Sequence, residues 1–91
     1  MGLLDGKVAL ITGGGKGIGF GIASAFAEQG AKLFITGRTE SRLADAAEKL
    51  TGEYGTEVTY TVAEGSDESQ VEAALAKCVE HFGKLFNLIK R

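Results

Sequence analysis

Residues 12–19 read Thr12-Gly13-Gly14-Gly15-Lys16-Gly17-Ile18-Gly19. Glycines at this density, with one lysine among them, suit one kind of chemistry, the holding of a phosphate on backbone N–H groups. Glycine lets the chain turn sharply and lets an anion approach the backbone without meeting a Cβ. The spacing separates the known solutions. A Walker A loop needs Ser or Thr after Gly-Lys and an earlier glycine, and here Gly17 follows Lys16 while Leu10 holds the earlier position. The strict G-x-G-x-x-G pattern from Gly13 and Gly15 would require glycine where Ile18 stands. What remains is T-G-x-x-x-G-x-G, with Gly13, Gly17 and Gly19 as its fixed points.

Two charged residues stand where apolar runs end, Arg38 after Leu33-Phe34-Ile35-Thr36-Gly37 and Glu64 after Val62-Ala63. Other reactive side chains have structural explanations. His81 lies near the end of a helical stretch, where the helix dipole favours it. Cys78 falls on an apolar stripe and reads as core. Asp67, Glu68 and Glu72 cluster at a helix start, again as the dipole favours. Lys90-Arg91 reads as a solvated terminus.

The elements that must position the loop follow from periodicity. Lys7–Ile11 is a short apolar run and reads as a strand buried on both faces. From Gly17 to Gln29 the period becomes helical, with Ile18, Ile22 and Phe26 on one face and Gly30 as the stop. Lys32–Thr36 is a second strand. Thr39 is placed to cap a second helix carrying Leu43, Ala46, Ala47 and Leu50, broken by Gly52 and Gly55. Val58, Tyr60 and Val62 alternate with threonines, as in a strand near a sheet edge. Ser66 or Asp67 caps a third helix, Asp67-x-x-Gln70 resembling a capping box, with Val71, Leu75, Cys78, Val79 and Phe82 as its apolar stripe. Gly83 closes it, and Leu85–Ile89 begins a fourth strand. The order β-α-β-α-β-α-β predicts an α/β, Rossmann-like parallel sheet of about four strands, order 3-2-1-4, with helices on both faces.

Composition bounds the rest. The chain has 91 residues with a net charge of −2, and its 14 glycines include six between Gly13 and Gly21. That length predicts one partial domain spanning residues 1–91. Near-neutral charge gives no general attraction to nucleic acid or to anionic membranes. One cysteine and one histidine build neither a disulfide framework nor a metal cluster. Apolar runs of about four residues are too short for a membrane span, and no signal peptide is visible. A cytoplasmic protein is expected.

The loop, and the opening Leu4-Asp5-Gly6-Lys7-Val8-Ala9-Leu10-Ile11-Thr12-Gly13, resemble the short-chain dehydrogenase/reductase family. The resemblance covers nearly the whole chain. It implies a dinucleotide cofactor on the loop residues Gly13, Gly15, Lys16, Gly17, Ile18 and Gly19. NAD-selective relatives of this fold place a carboxylate at the end of the second strand to bind the ribose 2′-OH. Gly37-Arg38 stands there instead, so the resemblance implies NADP(H) in preference to NAD(H), with Arg38 and Lys16 receiving the 2′-phosphate. Glu64 takes the place of the family's adenine-contacting Asp. The family continues the fourth strand into Asn-Asn-Ala-Gly, where this chain has Leu88-Ile89-Lys90-Arg91. Its catalytic Ser and Tyr-x-x-x-Lys have no match: Tyr54 and Tyr60 are followed four residues on by Val58 and Glu64. The expectation is the N-terminal cofactor-binding part of an oxidoreductase that interconverts carbonyls and alcohols. As this truncated chain it is expected to lack turnover and to form a homo-oligomer through the open sheet edge and uncovered helix faces. A second reading stays open, a non-catalytic α/β scaffold acting by self-association or partner binding.

Overall fold

The computed structural model describes residues 2–13, 17–83 and 87–89, the last three as backbone. Three helices alternate with four strands: β1 (Val8–Thr12), α1 (Gly17–Glu28), β2 (Lys32–Gly37), α2 (Glu40–Tyr54), β3 (Val58–Val62), α3 (Glu68–Phe82) and β4 (Asn87–Ile89). All pairings are parallel, and the sheet runs β3-β2-β1-β4. Every residue of β1 is buried, as a central strand covered on both faces requires.

Side-chain alternation divides the core in two. Ala9, Ile11, Leu33 and Ile35 point to one face, where Ala23 and Ala27 of α1 and Leu43, Ala46 and Leu50 of α2 cover them. Val8, Leu10 and Phe34 point to the other, against Ala74 and Cys78 of α3 and Ala63. Burial pushes the Cys78 thiol pKa up.

Three details differ from the pattern read off the sequence. The buried line of α1 is Gly19, Ala23 and Ala27 rather than Ile18, Ile22 and Phe26. Small residues let the helix axis approach the sheet, so Ile22 and Phe26 flank the contact half-buried while Ile18 is 64% exposed. On α3 the buried line is Val71, Ala74 and Cys78, and Val79 is exposed. Gly52 does not break α2, which continues to Tyr54. It ends at Gly55, in the left-handed region at φ 71°, whose N–H donates to Thr51 O. A glycine inside a helix costs about 1 kcal/mol, which the four buried apolar residues of α2 readily offset.

The N-termini of α2 and α3 are finished differently. Asp67 caps α3, its carboxylate accepting from the N–H groups of Ser69 and Gln70. These bonds, with that of the Ser69 hydroxyl foremost, hold the Asp67 pKa below its ordinary 3.8. Thr39 has the extended backbone of an N-cap, but its side chain makes no capping hydrogen bond.

Candidate functional site

The register brings three strand ends level. Gly13 N–H donates to Thr36 O at 2.7 Å, and Ala63 N–H donates to Gly37 O at 2.9 Å. Just beyond them a cleft of ≈ 790 Å³ opens, lined by residues from the β1–α1, β2–α2 and β3–α3 junctions. In parallel α/β sheets this carboxyl edge is where ligands bind.

Of the residues singled out in the sequence, Gly13, Ile18, Gly19, Arg38 and Glu64 line this cleft. Gly17 opens α1 beside it, while Gly15 and Lys16 lie outside the described residues. Gly13 and Gly17 have φ of 73° and 62°, values a side chain with a Cβ rarely adopts. Around the position of a Cβ on Gly17, no described atom lies within 4 Å apart from its chain neighbours and the backbone of its own helix. The first N–H groups of α1 have no helical partner, and the helix starts beside the cleft. Exposed Ile18 acquires a reason here, since it forms part of the cleft wall and not of the core.

The opposite lip carries charge. Arg38 Nε lies 3.7 Å from Glu64 Oε2, with the two side chains 79% and 38% exposed. The backbone of Glu64 is fixed: its N–H donates to Gln70 Oε1 at 2.6 Å, and its carbonyl accepts from Asp67 N–H at 3.0 Å. Sequence reading does not single out Arg42 or Thr39 as site residues, yet both line the cleft. The signal is there in part, because Arg42 lies one helical turn beyond Arg38. Leu43 closes the floor and is only 1% exposed.

Neither tyrosine reaches this cleft. Tyr54 packs against the α1/α2 side of the core, and Tyr60 lines a separate cavity with Phe34, Thr61, Lys77, Glu80 and His81. His81 Nε2 lies 2.8 Å from Glu57 Oε2 and its ring meets Phe82 edge-on. Among the described residues, no group of three metal-ligating side chains converges and no helix is long and apolar enough to cross a membrane.

A family model described as short chain dehydrogenase matches residues 7–90. The chain belongs to that family. The 12alpha-hydroxysteroid dehydrogenase of a Clostridium species is 48% identical over 95 residues, covering 98% of this chain and 37% of the relative. L-Sorbose reductase from Gluconobacter frateurii, solved with NADPH and L-sorbose, superposes with a TM-score of 0.89 at 35% identity, covering 97% of this chain and 33% of that one. A short-chain dehydrogenase/reductase from Burkholderia phymatum, solved with NAD, superposes with a TM-score of 0.87 at 38% identity, covering 97% and 31%. The chain thus spans about a third of the length of these short-chain dehydrogenases. Members with either dinucleotide share this fold, so the charges at the cleft must decide between the two.

Proposed function

We propose that residues 1–91 form the part of a short-chain oxidoreductase that grips the adenosine and phosphate portion of NADP(H). The observation that carries this reading is the cleft at the strand ends, with glycines on one lip and Arg38 with Arg42 on the other. The residues present suit the group. Gly13, Gly17 and Gly19, with Gly15 between them in sequence, give the pyrophosphate backbone free of Cβ atoms and the N–H groups at the start of α1. Arg38 receives the 2′-phosphate with Lys16, and Arg42 adds a further cation on the Arg38 side. A charge-assisted hydrogen bond contributes about 1.5–3 kcal/mol, enough to favour NADP(H) by a factor of ten or more. The G. frateurii relative, solved with NADPH, supports this preference, and the B. phymatum relative marks NAD(H) as the competitor.

When bound, the nicotinamide supplies hydride transfer between a carbonyl and an alcohol. These 91 residues bind and orient; in this reading they contribute no proton-transfer group, because neither Tyr54 nor Tyr60 reaches the cleft. The cytoplasm suits the single buried free thiol of Cys78. The chain alone is expected to self-associate along its sheet edges and helix faces, which light scattering against concentration would test.

The deciding measurement is the melting temperature of the chain with NADPH and with NADH. A ligand at 100 times its Kd, bound only to the folded state, adds about 2.7 kcal/mol, or a shift of roughly 10 °C or more at this size. A larger shift with NADPH is expected. No shift with either dinucleotide at millimolar concentration would overturn the reading in favour of the scaffold alternative.

A further inference from the structure

Arg38 and Glu64 are distant in sequence, and the sheet brings them together. Strands β2 and β3 pair up to Gly37↔Val62, and Ala63 N–H then donates to Gly37 O at 2.9 Å. Arg38 directly follows β2, and Glu64 follows Ala63, two residues past the end of β3. The main chain of Glu64 is tied at both its N–H and its carbonyl, and Gln70, which holds the N–H, itself donates to Asp67 Oδ2 at 3.2 Å. With the backbone fixed, side-chain reach decides what the carboxylate touches. Glu64 Oε2 arrives 3.7 Å from Arg38 Nε. An aspartate on the same backbone would be shorter by one methylene, about 1.5 Å.

We infer that Glu64 is an internal counter-anion for Arg38 that competes with the cofactor's 2′-phosphate and thereby limits the preference for NADP(H) over NAD(H). This rests on the proposed function, in which Arg38 receives that phosphate. A phosphate monoester brings a charge of about −1.5 to −2. To reach the guanidinium it must displace the Glu64 carboxylate or share the cation with it, against like-charge repulsion. NAD(H) presents a hydroxyl at the same place and meets no such opposition. Glu64 therefore acts against the one cofactor that Arg38 favours. Both side chains are substantially exposed to water, and exposed pairs are weak, so the effect on affinity is about two- to five-fold.

The test is titration of the wild-type chain, Glu64→Gln and Glu64→Asp with NADPH and with NADH, each variant first checked for an unchanged melting temperature without ligand. Glu64→Gln is expected to tighten NADPH about two- to five-fold while NADH changes by less than about 1.5-fold. Glu64→Asp should move the same way by less, and 0.5 M salt should shrink both gains. Equal weakening of both dinucleotides in Glu64→Gln would assign Glu64 to an adenine contact and overturn the inference. A wild type that prefers NADPH, with a ratio unchanged in both variants, would overturn the counter-anion role while leaving the proposed function intact. Binding of neither dinucleotide by wild type or variants would remove the proposed function and this inference together.

Discussion

The starts of α2 and α3 are built at equivalent places, each just past the carboxyl end of a parallel strand, and they are finished in opposite ways. At α3 the protein supplies its own anion: Asp67 accepts from two backbone N–H groups and from the Ser69 hydroxyl, and Gln70 braces it from the first turn. At α2 the cap residue Thr39 makes no capping hydrogen bond with its side chain, and the neighbouring cleft-lining side chains Arg38 and Arg42 are cations. A helix start that satisfies its own donors is a structural joint. One without such a side-chain bond, next to the cleft-lining Arg38 and Arg42, is suited to an anion from outside. In the proposed function, one fold uses the same geometry both to tie itself together and to bind.

Substitutions that erase this contrast should have graded effects. The largest is expected from Arg38→Asp, which puts a carboxylate at the end of β2, as NAD-selective domains do. NADPH affinity should fall about 100-fold or more by isothermal titration, while NADH affinity falls little or rises. Equal losses for both would mean that Arg38 does not discriminate. Next is Thr39→Asp, which gives α2 the kind of cap that α3 has. The unliganded chain should become more stable by about 0.5–1 kcal/mol in urea unfolding, while NADPH binding weakens about ten-fold through the added negative charge. A variant that gains stability and binds NADPH unchanged would separate the α2 start from the phosphate site.

The converse change, Asp67→Ala, should lower the melting temperature by about 4–8 °C and leave the ratio of NADPH to NADH affinity near its wild-type value. The smallest effect is the pH dependence of that difference. The Asp67 pKa is depressed in the folded state, so its charge contributes stability above the ordinary carboxylate value of 3.8. That contribution fades as pH falls through the lower folded value. The gap in melting temperature between wild type and Asp67→Ala should therefore be flat from about pH 8 to pH 5 and narrow below about pH 4. A gap that widens in acid would contradict the cap.

Much of this contrast is legible in the sequence, and the part that is not has a physical reason. The glycine spacing, the four apolar positions of α2 and the Asp67-x-x-Gln70 signature depend on neighbours within a few residues. Periodicity centres the buried face of α1 on Ile18, Ile22 and Phe26 because hydrophobicity ranks isoleucine and phenylalanine above glycine and alanine, whereas close packing on a sheet selects small residues for the contact line. Arg42 is hidden in the sequence because only the approach of the first turn of α2 to the strand ends makes it a cleft residue. The Arg38–Glu64 pair depends on the register of β2 against β3, a long-range property no local pattern carries. Gly15 and Lys16, read as cofactor residues from the loop motif, lie outside the described residues.

Leu43 serves two parts of the molecule at once, since it is 1% exposed in the core and also forms the floor of the cleft. A Cβ added to Gly37 would stand 3.2 Å from its Cδ2 atom, so there is no spare layer between the cleft and the protein's interior. Carving the cleft deeper here, by Leu43→Ala for example, removes core packing that typically contributes about 2–5 kcal/mol. An engineer seeking room for a bulkier adenosine analogue has to work from the charged lip, because this floor can be lowered only by hollowing out the fold.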